Sequence, residues 1–275
     1  MRKKIAHSSK DFDDSLLPVT RGKQVLYLYK SRFGIIVGIG LTLLLFSIPL
    51  IVFMVMNDLA LSNIDPNDAK ALAFNNFIFQ IFIVVYLLIY SVAVSAVSNV
   101  IRTLLYSEGV FFFRDLFKGI KENILNNSLI TLMYGIIYLL AYFVMMITNF
   151  NALGLIPYIL FFIVFVPSYL WVIAETTFYK NNVFSFMKNS FFFLSKNILL
   201  TYALAIGFLL PAICVFFKHI LVKICIIVVY EFLIMPLFLF IFYSISLNSF
   251  DKHVNSENYP EIYRKGLYDP SKDIL

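Results

Sequence analysis

Two carboxylates fall where a carboxylate is expensive. Glu231 lies in the apolar run 221–247 and Glu175 in the run 153–178, each long enough to cross a bilayer core as a helix. An ionised acid at the bilayer centre costs about 3 kcal/mol on insertion scales, so one that persists there is protonated, paired or open to water. Glu231 follows Lys223 by eight positions, about 12 Å of helix at 1.5 Å per residue, which places it near mid-bilayer. Its chemistry reads two ways: a neutral carboxyl bonded to a Tyr, Asn or Ser of another helix, or a group that handles a proton or substrate. Glu175, beside Thr176 and Thr177 near the end of its run, is expected to reach out to the interface, with an intramembrane role as the alternative.

A second constellation sits between two apolar runs, in EGVFFFRDLFKGIKEN, residues 108–123. Phe113, Leu116, Phe117, Ile120 and Ile124 recur at helical spacing, and Arg114, Asp115, Lys118, Lys121 and Glu122 fall on the other side. That pattern predicts a short amphipathic helix on the membrane surface. It serves either as an interfacial anchor or as a charged face that docks another protein.

Enzymatic chemistry finds no motif. HExxH, Gly-x-Ser-x-Gly and Walker loops are missing from the sequence. His7, His219 and His253 belong to three different segments, and Cys214 and Cys225 form neither a CxxC nor a Cys/His cluster. A non-catalytic chain without metal or cofactor is expected. The stretch NIDPNDAK, with Asp58 upstream and Asp65 and Asp68 against Lys70, does not fit a calcium-binding loop and reads as a solvated acidic cap. No basic patch with interleaved aromatics lies outside the apolar runs, so nucleic acid is not an expected partner.

The elements that must position these residues are membrane helices. Of 275 residues, 61% are apolar and 14% charged, far from the composition of a soluble domain. Six runs fit transmembrane helices, 34–56, 77–101, 128–148, 153–178, 197–217 and 221–247, and the alternation of barrel strands is absent. The expected fold is all-α: a polytopic bundle over 34–247, a cytosolic segment 1–33, a cytosolic tail 248–275, and two short interfacial amphipathic helices between spans. Nineteen of the 22 Lys and Arg fall in alternate non-membrane segments, the other three being Lys70, Lys218 and Lys223. The rule that basic segments stay inside then predicts both termini in the cytoplasm. The first span carries no cleavage site for a signal peptide and is expected to remain as an anchor. Pro49, Pro157, Pro167, Pro211 and Pro236 lie inside runs, where each removes a backbone donor and tends to kink its helix.

Two cytosolic connections resemble each other. Val110, Phe111 and Phe113 align with Val183, Phe184 and Phe186, and after a one-residue slip Asn123, Ile124 and Leu125 align with Asn197, Ile198 and Leu199. A repeat of helix pairs would produce this, and so would chance in a Phe-rich chain. The tail, with Tyr259, Tyr263 and Tyr268, has more aromatic surface than a disordered segment usually carries; it either packs on its own bundle or clasps a partner.

The stretch SAVSNVIRTLLYSEGVFFFRDLFKGIKEN, residues 95–123, resembles the YesL-like membrane proteins of Gram-positive bacteria. There a helix ends in an Ile-Arg pair and is followed by a Gly-bearing turn and a helix of the DFFKGIKEN type. The matching positions are Ile101, Arg102, Glu108, Gly109, Val110, Asp115, Phe117, Gly119, Ile120, Lys121 and Asn123, with Ser95, Ser98 and Leu116 departing from the pattern. The resemblance implies a bacterial plasma-membrane protein and an association with carbohydrate ABC importers. The permease signature of such importers is missing, so the expected role is that of an accessory subunit contacting the permease through the interfacial helices and tail. A small independent transporter or channel, with Glu231 lining its path, is the other expectation; self-association into a homo-oligomer is left open.

Overall fold

A computed structural model describes residues 17–217 and 219–268; His7 and the two chain ends lie outside the described residues. Eight helices carry the fold, and no strand occurs among the described residues. In chain order they are α1 (Arg21–Ser31), α2 (Phe33–Ser62), α3 (Ala69–Leu105), α4 (Phe112–Ile147), α5 (Ala152–Phe178), α6 (Val183–Lys196), α7 (Ile198–Leu209, running on as a 3-10 turn to Phe216) and α8 (Ile220–Asn258). Helices α2, α3, α4, α5 and α8 are each long and apolar enough to span a membrane, and α6 with α7 forms a sixth candidate bent by 111°. Side-chain caps start several of them: Thr20 accepts from Lys23 N–H, Asp68 from Lys70 and Ala71, Asn151 from Gly154, and Asn182 from Ser185.

Proline shapes the second halves of the bundle. Each proline leaves the carbonyl four residues earlier without its helical donor, and at three positions another element meets that oxygen. The Tyr202 hydroxyl donates to the Ile163 carbonyl (2.9 Å) released by Pro167, and the Tyr230 hydroxyl to the Gly207 carbonyl (3.0 Å) released by Pro211. The Phe232 carbonyl released by Pro236 lies against Gly40 of α2, so close that a Cβ there would strike the oxygen. Two of these prolines share a further device. Phe161–Phe165 and Tyr230–Ile234 are single π turns, each ending two residues before its proline, Pro167 in α5 and Pro236 in α8. A wider turn ahead of the ring absorbs the register change that proline imposes. The same device thus occurs in α5 and α8.

Two lead-in segments differ from the expected surface helices. The first is not a separate element: residues 112–124 are the beginning of α4, a 36-residue helix about 54 Å long. Gly119 permits this, because a Cβ there would meet the backbone oxygens of Ser95 and Ala96, and so α4 runs along α3 at backbone distance. The second lead-in is its own helix, α6, broken from α7 at Asn197.

Both ends of the described chain are fixed to one end of the bundle, the basic end. Arg21 of α1 pairs with Asp251 of α8 at 3.0 Å, both buried, and donates to the Lys265 carbonyl at 2.9 Å. The Gln24 amide donates to the carbonyls of Leu105 (2.8 Å) and Gly266 (2.9 Å), and Asp251 also accepts from Asn255, whose side chain in turn accepts from the Tyr179 hydroxyl. Gly266, at φ +82°, lets the tail turn against the Leu105 carbonyl. The tail as far as Gly266 therefore packs on its own bundle. Burial pushes the Arg21 guanidinium down from its ordinary range while Asp251 opposes the shift, so this cation is retained by its partners.

Candidate functional site

Glu231 sits in the π turn of α8, where the widened backbone directs it inward; its side chain is buried. The Tyr90 hydroxyl of α3 donates to Glu231 Oε2 at 2.6 Å, and Tyr86, one turn before Tyr90, packs a tilted ring on it at 5.4 Å. The bond to a tyrosine of another helix that the run-in-membrane placement called for is thus present. Beside it, Tyr90 also lines a cavity of about 30 Å³ with Leu87, Val94, Met235, Leu239 and Phe242. That is room for about one or two waters, in apolar surroundings. A short bond between a buried carboxyl and a phenol supplies a place for one proton, and the adjoining cavity has room for water-sized molecules only.

Glu175 departs from its expected position. It does not reach out to the interface: it is 2% exposed, covered by α6, whose Asn189 amide donates to Oε2 at 3.1 Å. Its Oε1 is buried without a partner among the described residues. A hydroxyl and amide chain runs beside it. Asn127 donates to Ser95 (2.8 Å) and accepts from Thr176 (2.8 Å), while Tyr134 and Ser168 bond at 3.0 Å. Such bonds are worth about 0.6 kcal/mol each in a membrane bundle, so several together fix α3, α4 and α5 in register.

The five residues expected on a docking face are not one face. Asp115 is only 4% exposed: its carboxylate accepts the Phe111 N–H at 2.8 Å and satisfies the first turn of α4. Its acidity is spent on the helix start, with Arg114 Nε at 3.4 Å as a partly exposed companion. Arg114, Lys118, Lys121 and Glu122 are exposed and do share the outer side, together with Phe113 and Phe117, of which Phe113 is 73% exposed. Glu122 is loosely paired with Arg102 at 3.5 Å.

Asn99 and Arg102 hold this foot from within and were not among the expected site residues. Asn99 donates to the Asp115 carbonyl at 2.7 Å, and Arg102 donates to Asn99 Oδ1 (2.5 Å) and to the Thr177 carbonyl (3.0 Å) at the end of α5. Their i, i+3 spacing at the end of an apolar run was the available signal. Arg21, Gln24 and Asp251 were equally hidden, since in sequence they read only as polar flanks.

No protein-family model, curated protein or solved structure matches this chain. The fold itself defines the class: a multi-pass helical membrane protein whose long apolar helices contact the lipid bilayer.

Proposed function

We propose that the protein is a non-catalytic accessory protein of the cell membrane that docks a membrane partner through the foot of α4. The observation that carries this reading is the exposed cluster Arg114, Lys118, Lys121 and Glu122 on a helix whose opposite side is held rigidly by Gly119, Asn99, Asp115 and Arg102. A rigid charged projection costs little ordering entropy when a partner binds it. Both termini lie in the cytoplasm on this reading, because the basic segments gather at that end. The resemblance of 95–123 to YesL-like proteins supports a narrower form, in which the partner is the permease of a carbohydrate ABC importer. The described turn of the tail around Gly266 is already engaged by Gln24, Glu108 and Leu105, so the docking reading rests on the foot of α4.

The test is extraction of the tagged chain from its native membrane in mild detergent, with wild type compared against Arg114→Glu, Lys118→Glu and Lys121→Glu combined. A sugar permease and its ATPase in fixed ratio with wild type, lost in the triple variant, is the expected result. A correctly inserted triple variant that keeps the same partners removes the docking face. The second reading, an independent transporter, is favoured by the Glu231–Tyr90 bond on the π turn before Pro236. It requires flux in liposomes holding this chain alone and a change in that flux with Glu231→Gln.

A further inference from the structure

Helix α6 carries positive charge that nothing in the fold uses. Lys180, just before it, and Lys188 and Lys196 within it are exposed, and the stretch from Tyr179 to Asn197 contains no Asp or Glu. None of the three lysines has an ion pair among the described residues, as is also true of Lys118 and Lys121 at the neighbouring foot, where Arg102 and Arg114 each have an acidic partner. Lys196 only leans over the Phe192 ring at 5.7 Å.

At 100° per residue the helix divides into three arcs. Phe186, Ser190 and Phe193 are buried against the bundle. Phe184, Met187, Phe191 and Leu194 form a second, apolar arc, with Phe184 75% exposed. Lys188, Ser185, Lys196 and Asn189 form the third, with the exposed Phe192 ring between the two lysines. Because α6 turns 111° from α7, it lies across the end of the bundle rather than along the spans. At the elbow Ile198, Leu199 and Leu200 are exposed, Leu199 at 85%, so the apolar surface of α7 begins directly where α6 ends. A helix in that position has one arc toward acyl chains and its lysines at headgroup level.

We propose that α6 lies in the leaflet at the basic end and holds anionic phospholipid headgroups with Lys180, Lys188 and Lys196. Charge complementarity selects the occupant: three unpaired cations beside an apolar arc fit a phosphate on an acyl chain, and an acidic lipid supplies both. The inference does not rest on the partner reading, which concerns α4.

The full-length protein is tested in mixed micelles by native mass spectrometry, with phosphatidylglycerol and phosphatidylcholine of equal chain length competing at equal concentration. Wild type is expected to retain phosphatidylglycerol preferentially, and the preference to fall roughly fivefold for each lysine replaced by glutamine. Lys70→Gln, at the far end of the chain's acidic loop, leaves it unchanged. Equal retention of the two lipids by wild type overturns the proposal without any variant. So does a folded Lys180→Gln, Lys188→Gln, Lys196→Gln protein that prefers phosphatidylglycerol as wild type does. Millimolar inorganic phosphate is expected not to displace the lipid; displacement as complete as that by excess phosphatidylglycerol means that α6 reads free phosphate, and also overturns it.

Discussion

The lead-in to α4 and the lead-in to α7 begin from similar sequence and end as different structures. The first is straight and continuous with its span; the second is a separate helix that turns through 111° at Asn197. Two positions account for the difference. Where α4 has Gly119 at the crossing with α3, α6 has the Phe192–Phe193 pair. Phe193 fills a ring cluster, stacked on Trp171 at 5.3 Å and edge-on to Phe250 at 4.8 Å, which holds α6 across α5 and α8. Backbone contact favours a parallel run, and bulky rings favour a crossing. The aligned asparagines then diverge. Asn197 leaves helical geometry at φ −128°, ψ 36°, and its amide donates to the Phe193 carbonyl (3.1 Å) and to Ser249 (2.8 Å). Asn123 stays helical and buried, its Nδ2 without a partner among the described residues. Two similar lead-in sequences thus give a strut before one span and an elbow before another.

The strongest way to break the comparison is Phe193→Ala. Removing a buried ring from this cluster should cost about 3–5 kcal/mol, read by unfolding in mild detergent, with Trp171 emission as a local probe because it is the only tryptophan. A loss below about 1 kcal/mol would show that the rings do not hold the elbow. Gly119→Ala comes next: its methyl meets backbone oxygens that have nowhere to move, and a loss of about 1–3 kcal/mol in the same assay is expected.

The two asparagines sharpen the contrast through opposite signs. Asn197→Leu should destabilise by about 1–2 kcal/mol, because it strips a buried bond from Ser249, whereas Asn123→Leu should be neutral or stabilise by up to about 1 kcal/mol by removing an unsatisfied amide. Equal losses at both positions would mean that the lead-ins differ for another reason. The smallest effect concerns the foot of α3. Burial raises the Tyr106 phenol from 10.0 to about 12, opposed by Arg102 and Arg21. A tyrosine that stays neutral when folded but ionises when unfolded contributes full stability below its ordinary value and loses it as pH climbs from about 10 through about 12. Tyr106→Phe should flatten that part of the pH–stability curve, and an unchanged slope would assign the loss to other groups.

Much of the membrane scaffold was legible in the residues. Helices α2, α3 and α5 cover their expected spans and extend past two of them, since a long apolar run admits one backbone solution in lipid. Boundaries were less legible. Helix α4 starts 16 residues before the expected span at 128, and α8 continues past 247 to Asn258, because polar helical turns are stabilised by packing on α1 and α3 that no local pattern announces. At the candidate sites, Glu231 is expected inside a span and lies buried there, while Tyr90 as its partner is one of many tyrosines. Asp115 misled: spacing put it with Lys118 and Glu122, and a backbone N–H at Phe111 claimed it.

The residues alone determined that the chain is a bundle of apolar helices, which runs are long enough to span a membrane, and that Glu175 and Glu231 lie within such runs. Those conclusions follow from transfer free energy, which depends on residue type and run length alone. Tertiary structure decided which donor meets each acceptor: Tyr90 for Glu231, Tyr202 and Tyr230 for two carbonyls left by prolines, and Arg21 for Asp251. A hydrogen bond is fixed by the distance and direction between two atoms, and for residues as far apart as 21 and 251 only the packed helices set that distance.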